Sequence, residues 1–267
     1  MKNYFLFIFF TFSILNAQNI TFIYEVKNKS NPNIKDYFTE NYYLDVLGLQ
    51  SVFRSEKDRI SDSLVEKSGY GLGRKINFNN QLYSYKNLAN KSVRKNITSP
   101  SNDNYFINIT EPLRWKIQTD TIKISQFNCQ KANVSYGGRN WTAWFTSDIS
   151  ISDGPYIFYG LPGLIIKMQD ESQDYIFNMI EVINSNKNNM FALRNGKEIT
   201  WDTYRKLLIN YYDNPFSEIK TMGVKYQSVD SNGQPINVDL KSLTESTQRQ
   251  IKNYNNPLEL NHKIDFK

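Results

Sequence analysis

Cysteine and histidine each occur once in 267 residues, as Cys129 and His262. A single cysteine excludes an intrachain disulfide framework and any CxxC metal site. A single histidine excludes HExxH and multi-histidine zinc sets. A Ser–His or Cys–His dyad would have to use His262, which stands in a polar tail, a poor place to orient a base. Runs of lysine or arginine that could track a phosphate backbone are also missing. The 32 basic and 26 acidic residues are interspersed, which disfavours a nucleic-acid partner. Beyond the N-terminus no long apolar run follows, so an integral membrane protein of the helical kind is not expected. Neither a metal nor a cofactor is called for by any motif.

What is present begins with a three-part leader. Lys2 gives a short positive region, Tyr4 to Leu15 an apolar run, and Leu15-Asn16-Ala17 a small residue before Gln18. That is the pattern of a secretory signal peptide cleaved after Ala17. The apolar run is short of the roughly 20 residues needed to span a bilayer. The expectation is residues 1–17 as signal peptide and residues 18–267 as a single β-rich domain, placed in the periplasm, the cell envelope or outside the cell. Hydrophobic content of 40% with 15% aromatics is enough for a real core, so disorder is not the default. The net charge of +6 favours at most weak contact with anionic envelope surfaces.

Period-2 alternation dominates. Ile20, Phe22, Tyr24 and Val26 alternate with Thr21, Ile23, Glu25 and Lys27, which predicts a first strand. Further strands are predicted at 42–46 and 51–54 around Gly48, at 82–85, at 105–109 and through Leu113 to Ile124. A polar stretch between residues 85 and 105 reads as a mobile connection. Phe127 to Tyr136 and Arg139 to Thr146 are joined across Gly137-Gly138, a hairpin signal. On that hairpin Phe127 and Cys129 share a face, which makes Cys129 a buried small hydrophobe. Trp141, Ala143 and Phe145 fall on one face and Trp144 on the other. Tyr175 to Ile183 reads as another strand. Residues 56–67 look helical or irregular. Trp201 to Tyr212 reads as a helix capped by Thr200 and closed by Pro215. Ser242-Leu243-Thr244-Glu245 fits a capping box opening a helix to about Tyr254. Successive strands with short turns imply antiparallel pairing.

The most distinctive stretch runs from Ser150 to Ile166, SISDGPYIFYGLPGLII. With Cys129-Gln130-Lys131-Ala132, Gly138-Arg139 and Trp144-Phe145-Thr146 before it, and Asn256-Pro257-Leu258-Glu259-Leu260 near the end, the chain resembles the GLPGLI family of exported proteins. The hexapeptide of that name stands intact at Gly160 to Ile165, and the resemblance covers nearly all of residues 18–267. One departure is Phe145, where the family usually has Tyr. The resemblance implies an exported protein of Bacteroidota whose biochemical role is unsettled.

Physically the motif is a backbone device. Gly160 and Gly163 can take positive φ, while Pro162 fixes φ near −65°. Leu161-Pro162-Gly163 suits a type II turn, and Gly154-Pro155 a similar corner. Two readings stand side by side: sharp bends that let a strand cross a sheet, or glycines that permit close approach of a ligand. It is no phosphate loop, since no Lys-Ser/Thr follows.

The candidate binding residues are the aromatics Trp144, Tyr156 and Tyr159. The candidate carboxylates are Asp148 and Asp153, with Asp170-Glu171-Ser172-Gln173-Asp174 as an exposed hairpin turn. Two acids at suitable separation can hydrolyse glycosides without histidine, though Asp also favours ordinary turns. The fold expected is mainly β: a strongly curved antiparallel sheet or open half-barrel with about two helices packed on one face. Periplasmic lipoprotein carriers share that plan, an analogy of fold alone. The function expected is a non-catalytic binding, carrier or accessory protein for a peptide, a lipid or an outer-membrane partner. The alternatives are a carboxylate-dependent glycan hydrolase and a purely structural subunit.

Overall fold

The computed structural model describes residues 19–72, 78, 80–185, 193–222, 227–229, 234–237 and 239–267. The expected leader, residues 1–17, lies outside them. The fold is mainly β, with 41% strand and 21% helix. Strands β1 (Asn19–Asn28), β2 (Phe38–Leu47) and β3 (Gln50–Ser55) lead into helix α1 (Glu56–Ser68). Then come β4 (Tyr83–Asn87), β5 (Ser92–Thr98), β6 (Asn104–Asn108), β7 (Lys116–Ile124), β8 (Phe127–Tyr136), β9 (Arg139–Thr146), β10 (Leu164–Asp170) and β11 (Tyr175–Ser185). A two-residue β12 (Lys197–Glu198) precedes α2 (Trp201–Asp213) and α3 (Ser217–Met222). A small hairpin of β13 (Gln227–Val229) and β14 (Pro235–Asn237), helix α4 (Leu240–Asn253) and a 3-10 turn at Leu260–His262 complete the chain.

Among the described residues twelve strands form one open sheet in the order β12-β6-β5-β4-β3-β2-β1-β11-β10-β9-β8-β7. Neighbours are antiparallel except β12 and β6. The long crossover is the one from β6 to β7. It carries the chain from one end of the sheet to the other, so that β1 and β11 pair at its middle.

Alternation sorts the two faces. Phe22, Tyr24 and Val26 of β1, Phe53 of β3, Trp141, Ala143 and Phe145 of β9 and Tyr175 and Phe177 of β11 build one core. Trp141 lies 4.9 Å from Phe158 and 6.2 Å from Phe177, ring centre to ring centre. Cys129 is buried in the same core, as its spacing predicts. A second cluster continues the core face onto the edge strands, where Tyr204 and Leu208 of α2 cover Ile97 and Ile107. Helix α4 packs on α2, and α1 lies against β2 and β3 on the opposite face.

That opposite seat is polar. Arg54 of β3, 4% exposed, donates to Asp62 of α1 at 2.7 Å and to Asp45 of β2 at 3.1 Å. Two buried acids facing one guanidinium satisfy its charge, which is why a helix with little apolar content on that side still docks.

Three expectations change. The supposed mobile connection contains strand β5, whose Val93 and Ile97 are buried and whose Lys95 is buried with them. An inward lysine hid the alternation. Helix α4 starts earlier than the capping box suggested: Asp239 is the N-cap, accepting from the backbone N–H groups of Lys241 and Ser242. The turn at Pro162 is closed by a bond from the Gly163 N–H to the Leu161 carbonyl, 2.8 Å, tighter than a type II turn.

Candidate functional site

Between β9 and β10 the chain leaves the sheet and lies across its core face. Tyr156, Ile157, Phe158 and Leu161 are at most 1% exposed. Polar side chains of β1 and β4, with Trp115 just before β7, hold this segment in place. Tyr24 of β1 donates to the Ile165 carbonyl at 2.6 Å, and Ser84 of β4 to the Tyr156 carbonyl at 2.7 Å. The Trp115 indole donates to the Tyr159 carbonyl at 2.8 Å. Lys86 of β4 pairs with Asp153 and donates to the Gly154 carbonyl at 2.6 Å, both side chains fully buried. Burial pushes the Lys86 ammonium below its ordinary range, with Asp153 opposing the shift. Gly163 shows why its place must be glycine: φ is +148°, and a Cβ there would stand 1.9 Å from the Thr146 carbonyl oxygen.

A C-terminal strap closes over this segment. Arg139, beside the β8–β9 turn, donates to Asp170 (2.9 Å), Asp174 (3.2 Å) and the Asn256 side chain (2.7 Å). It also reaches the Leu258 and Pro257 carbonyls, both at 2.9 Å. These bonds hold residues 256–259 in place. Asp170 and Asp174 are therefore buried partners of a guanidinium, and the exposed part of that hairpin turn is Glu171 to Gln173.

The strap delivers Glu259, 3% exposed, to the centre of a polar junction. One oxygen accepts from the hydroxyls of Tyr156 (2.6 Å) and Tyr136 (3.3 Å), and the other pairs with Lys95 at 3.2 Å. Burial, reinforced by the Glu259 charge, holds both tyrosine hydroxyls well above their ordinary range, so they stay donors. With both oxygens engaged, Glu259 ties the strap to the sheet and to the inserted segment.

Over this junction opens a cleft of about 200 Å³, lined by Ile109, Thr110, Glu111, Tyr136, Trp201, Glu259 and His262. His262 stacks on Trp201 with ring centres 3.9 Å apart and planes 6° from parallel. The only histidine is thus held in a 3-10 turn against α2, where the sequence suggested a loose tail. Burial lowers its pKa, while Glu259 and Glu111 pull it up and Lys95 pushes it further down. A neutral imidazole offers an acceptor nitrogen. Glu111 is exposed, and one of its oxygens takes the Gly137 N–H at 3.3 Å. The groups facing the cleft are mostly acceptors: a carboxylate, a phenol oxygen and an imidazole, against an aromatic wall.

The structure scatters the residues singled out in the sequence. Tyr156 is fully buried, Tyr159 half-buried with its carbonyl engaged, and Trp144 half-buried on the far face of β9. Gly154, Pro155, Gly160, Leu161, Pro162 and Gly163 form the bends of the inserted segment. Asp153 is sealed against Lys86, whereas Asp148 sits exposed and accepts the Asn128 N–H at 3.3 Å; the two acids are not brought together. Of the cleft residues, Glu259 carried a usable signal, a lone carboxylate between Leu258 and Leu260. Glu111 and Trp201 carried none.

Against known proteins, residues 136–167 match a family model described as a protein of unknown function, Porph_ging. The matched span holds β9 and the inserted segment with its bends. No curated protein matches the chain. Two crystal structures of PNGF-II, in space groups C2 and P21, are similar in fold. They have TM-scores of 0.51 and 0.50 and 16% and 17% sequence identity, covering 72% of this chain and 33% of theirs. The matched part spans about a third of the PNGF-II chains.

Proposed function

We propose that this chain is an exported cell-envelope protein of the GLPGLI type that binds a peptide segment without transforming it, and that the segment presents a cationic side chain to the cleft. The observation that carries this is the lining of the cleft: the exposed Glu111 carboxylate, the Tyr136 oxygen and the neutral His262 beside the Trp201 ring. Such acceptors around an aromatic wall complement an ammonium or guanidinium group. A lipid chain would need an apolar lining, and the interior that could have held one is filled by Trp141, Phe158 and Tyr175. Hydrolysis is disfavoured because Glu259 is locked by two hydroxyls and an ammonium, and Asp153 by Lys86.

Residues 1–17 serve as the leader in this reading, and the mature domain works in the periplasm or at the envelope. We also read the sheet as strongly curled around the inserted segment. In support, Lys95 of β5 and Tyr136 of β8 stand eight strand steps apart in the sheet order and still share one carboxylate. A flat sheet would set them about 38 Å apart, at roughly 4.8 Å per strand.

Native mass spectrometry of the mature protein purified from its own envelope tests the binding role. A retained peptide with lysine or arginine is the expected result. A retained lipid would overturn it.

A further inference from the structure

Among the described residues the helices lie away from the back of β8, β9 and β10: α1 sits on β2 and β3, and α2 covers the core side. The pairing register places Trp144 of β9 directly between Lys131 of β8 and Lys167 of β10. Directly opposed residues share a face, with Cβ atoms about 4.5–5.5 Å apart. The three side chains therefore form one row, an indole flanked by two ammonium groups, all half-buried. The next row is Asn133, Thr142 and Gln169, with Thr142 donating to Asn133 at 3.2 Å. Asn178 of β11 stands beside Lys167.

Little of this row's bonding capacity is used inside the protein. Among the described residues neither Lys131 nor Lys167 has an ion-pair partner, and the Trp144 N–H and the Gln169 and Asn178 amides have no hydrogen bond. A solvent-facing sheet face is ordinarily polar, so asparagine, threonine and glutamine need no explanation there. Trp144 packs in part against the core cluster; what the core does not explain is two lysines on either side of a half-buried indole with no ion-pair partner among the described residues.

We infer that this back face binds an acidic glycan, one sugar ring stacking its C–H face on Trp144 while its carboxylate or phosphate groups meet Lys131 and Lys167. An indole offers a flat apolar surface with a donor at its edge, and a pyranose offers a flat C–H surface ringed by hydroxyls. Side-chain amides both donate and accept, which matches hydroxyl groups. The lysines add ion pairs that a neutral sugar cannot form. The site is independent of the cleft, which opens on the core side.

Calorimetric titration of the mature protein with tetragalacturonate, and with its methyl ester as the uncharged control, tests this. The acid is expected to bind at least tenfold more tightly than the ester, and added salt to weaken it. Trp144→Ala should abolish binding. The double variant K131Q/K167Q, which alters only half-buried surface groups, should weaken it tenfold or more while melting like the wild type. Glu111→Gln in the cleft should leave it unchanged. No binding of the acid, equal binding of the ester, or unaltered binding by both back-face variants would each overturn the inference.

Discussion

Lys95 and Glu259 form an ion pair of 3.2 Å with side chains only 2% and 4% exposed. It joins β5 to the C-terminal strap and, through the second carboxylate oxygen, to Tyr136 and Tyr156. Removing one partner of a buried pair leaves an uncompensated charge and costs about 3–5 kcal/mol. Glu259→Ala is therefore expected to lose about that much in urea unfolding. Glu259→Gln also leaves the Lys95 charge unpaired but keeps an acceptor for the hydroxyls, so its loss should fall at the low end of that range, about 3 kcal/mol. Equal, small losses in both would mean that the strap is not held by this junction.

The two motif glycines should respond differently to alanine. At Gly163 a Cβ would meet the Thr146 backbone oxygen at 1.9 Å, and neither β9 nor the inserted segment can move aside cheaply. Gly163→Ala should lose more than about 4 kcal/mol or fail to fold. At Gly160, with φ +94°, the nearest atom is the Trp115 indole nitrogen at 3.9 Å, so only backbone strain of about 1–3 kcal/mol applies. Comparable denaturant midpoints for the two variants would contradict this packing.

How much of this was legible depends on what each residue's neighbours are. Strands with strict alternation, such as Ile20 to Lys27 and Trp141 to Phe145, declared both their extent and their faces. So did α2, with Thr200 before an apolar stripe and Pro215 after it. Strand β5 did not, because its inward residue Lys95 is polar and two of its partners, Tyr156 and Glu259, lie far along the chain. The cleft failed for the same reason. Its members come from the β6–β7 crossover, the end of β8, the start of α2 and the strap, and nothing local marks Glu111 or His262 as neighbours. Composition pointed away from His262, since a lone histidine near a terminus has no visible support before Trp201 stacks on it.

Protonation of that histidine gives a stability signature. Burial lowers the His262 pKa in the folded protein, while an unfolded histidine titrates near 6.5. The unfolded chain then binds the proton first, so the contribution is fully present above about pH 6.5 and is lost as pH falls through the lower folded value. Between neutral pH and the carboxylate range the wild type should lose stability on acidification. His262→Gln should flatten that part of the curve in thermal melts at stepped pH. An unchanged slope would mean that burial does not hold the imidazole in its neutral form.

The cleft is most directly tested by calorimetric titration of the mature protein with the tripeptide Gly-Arg-Gly, blocked at both ends, against the same peptide with citrulline in place of arginine. Citrulline keeps the shape and removes the charge. The arginine peptide is expected to bind at least tenfold more tightly, and Glu111→Gln to erase the difference between the two. Equal affinity for both peptides, or no binding of either, would contradict a cleft built to receive a cationic side chain.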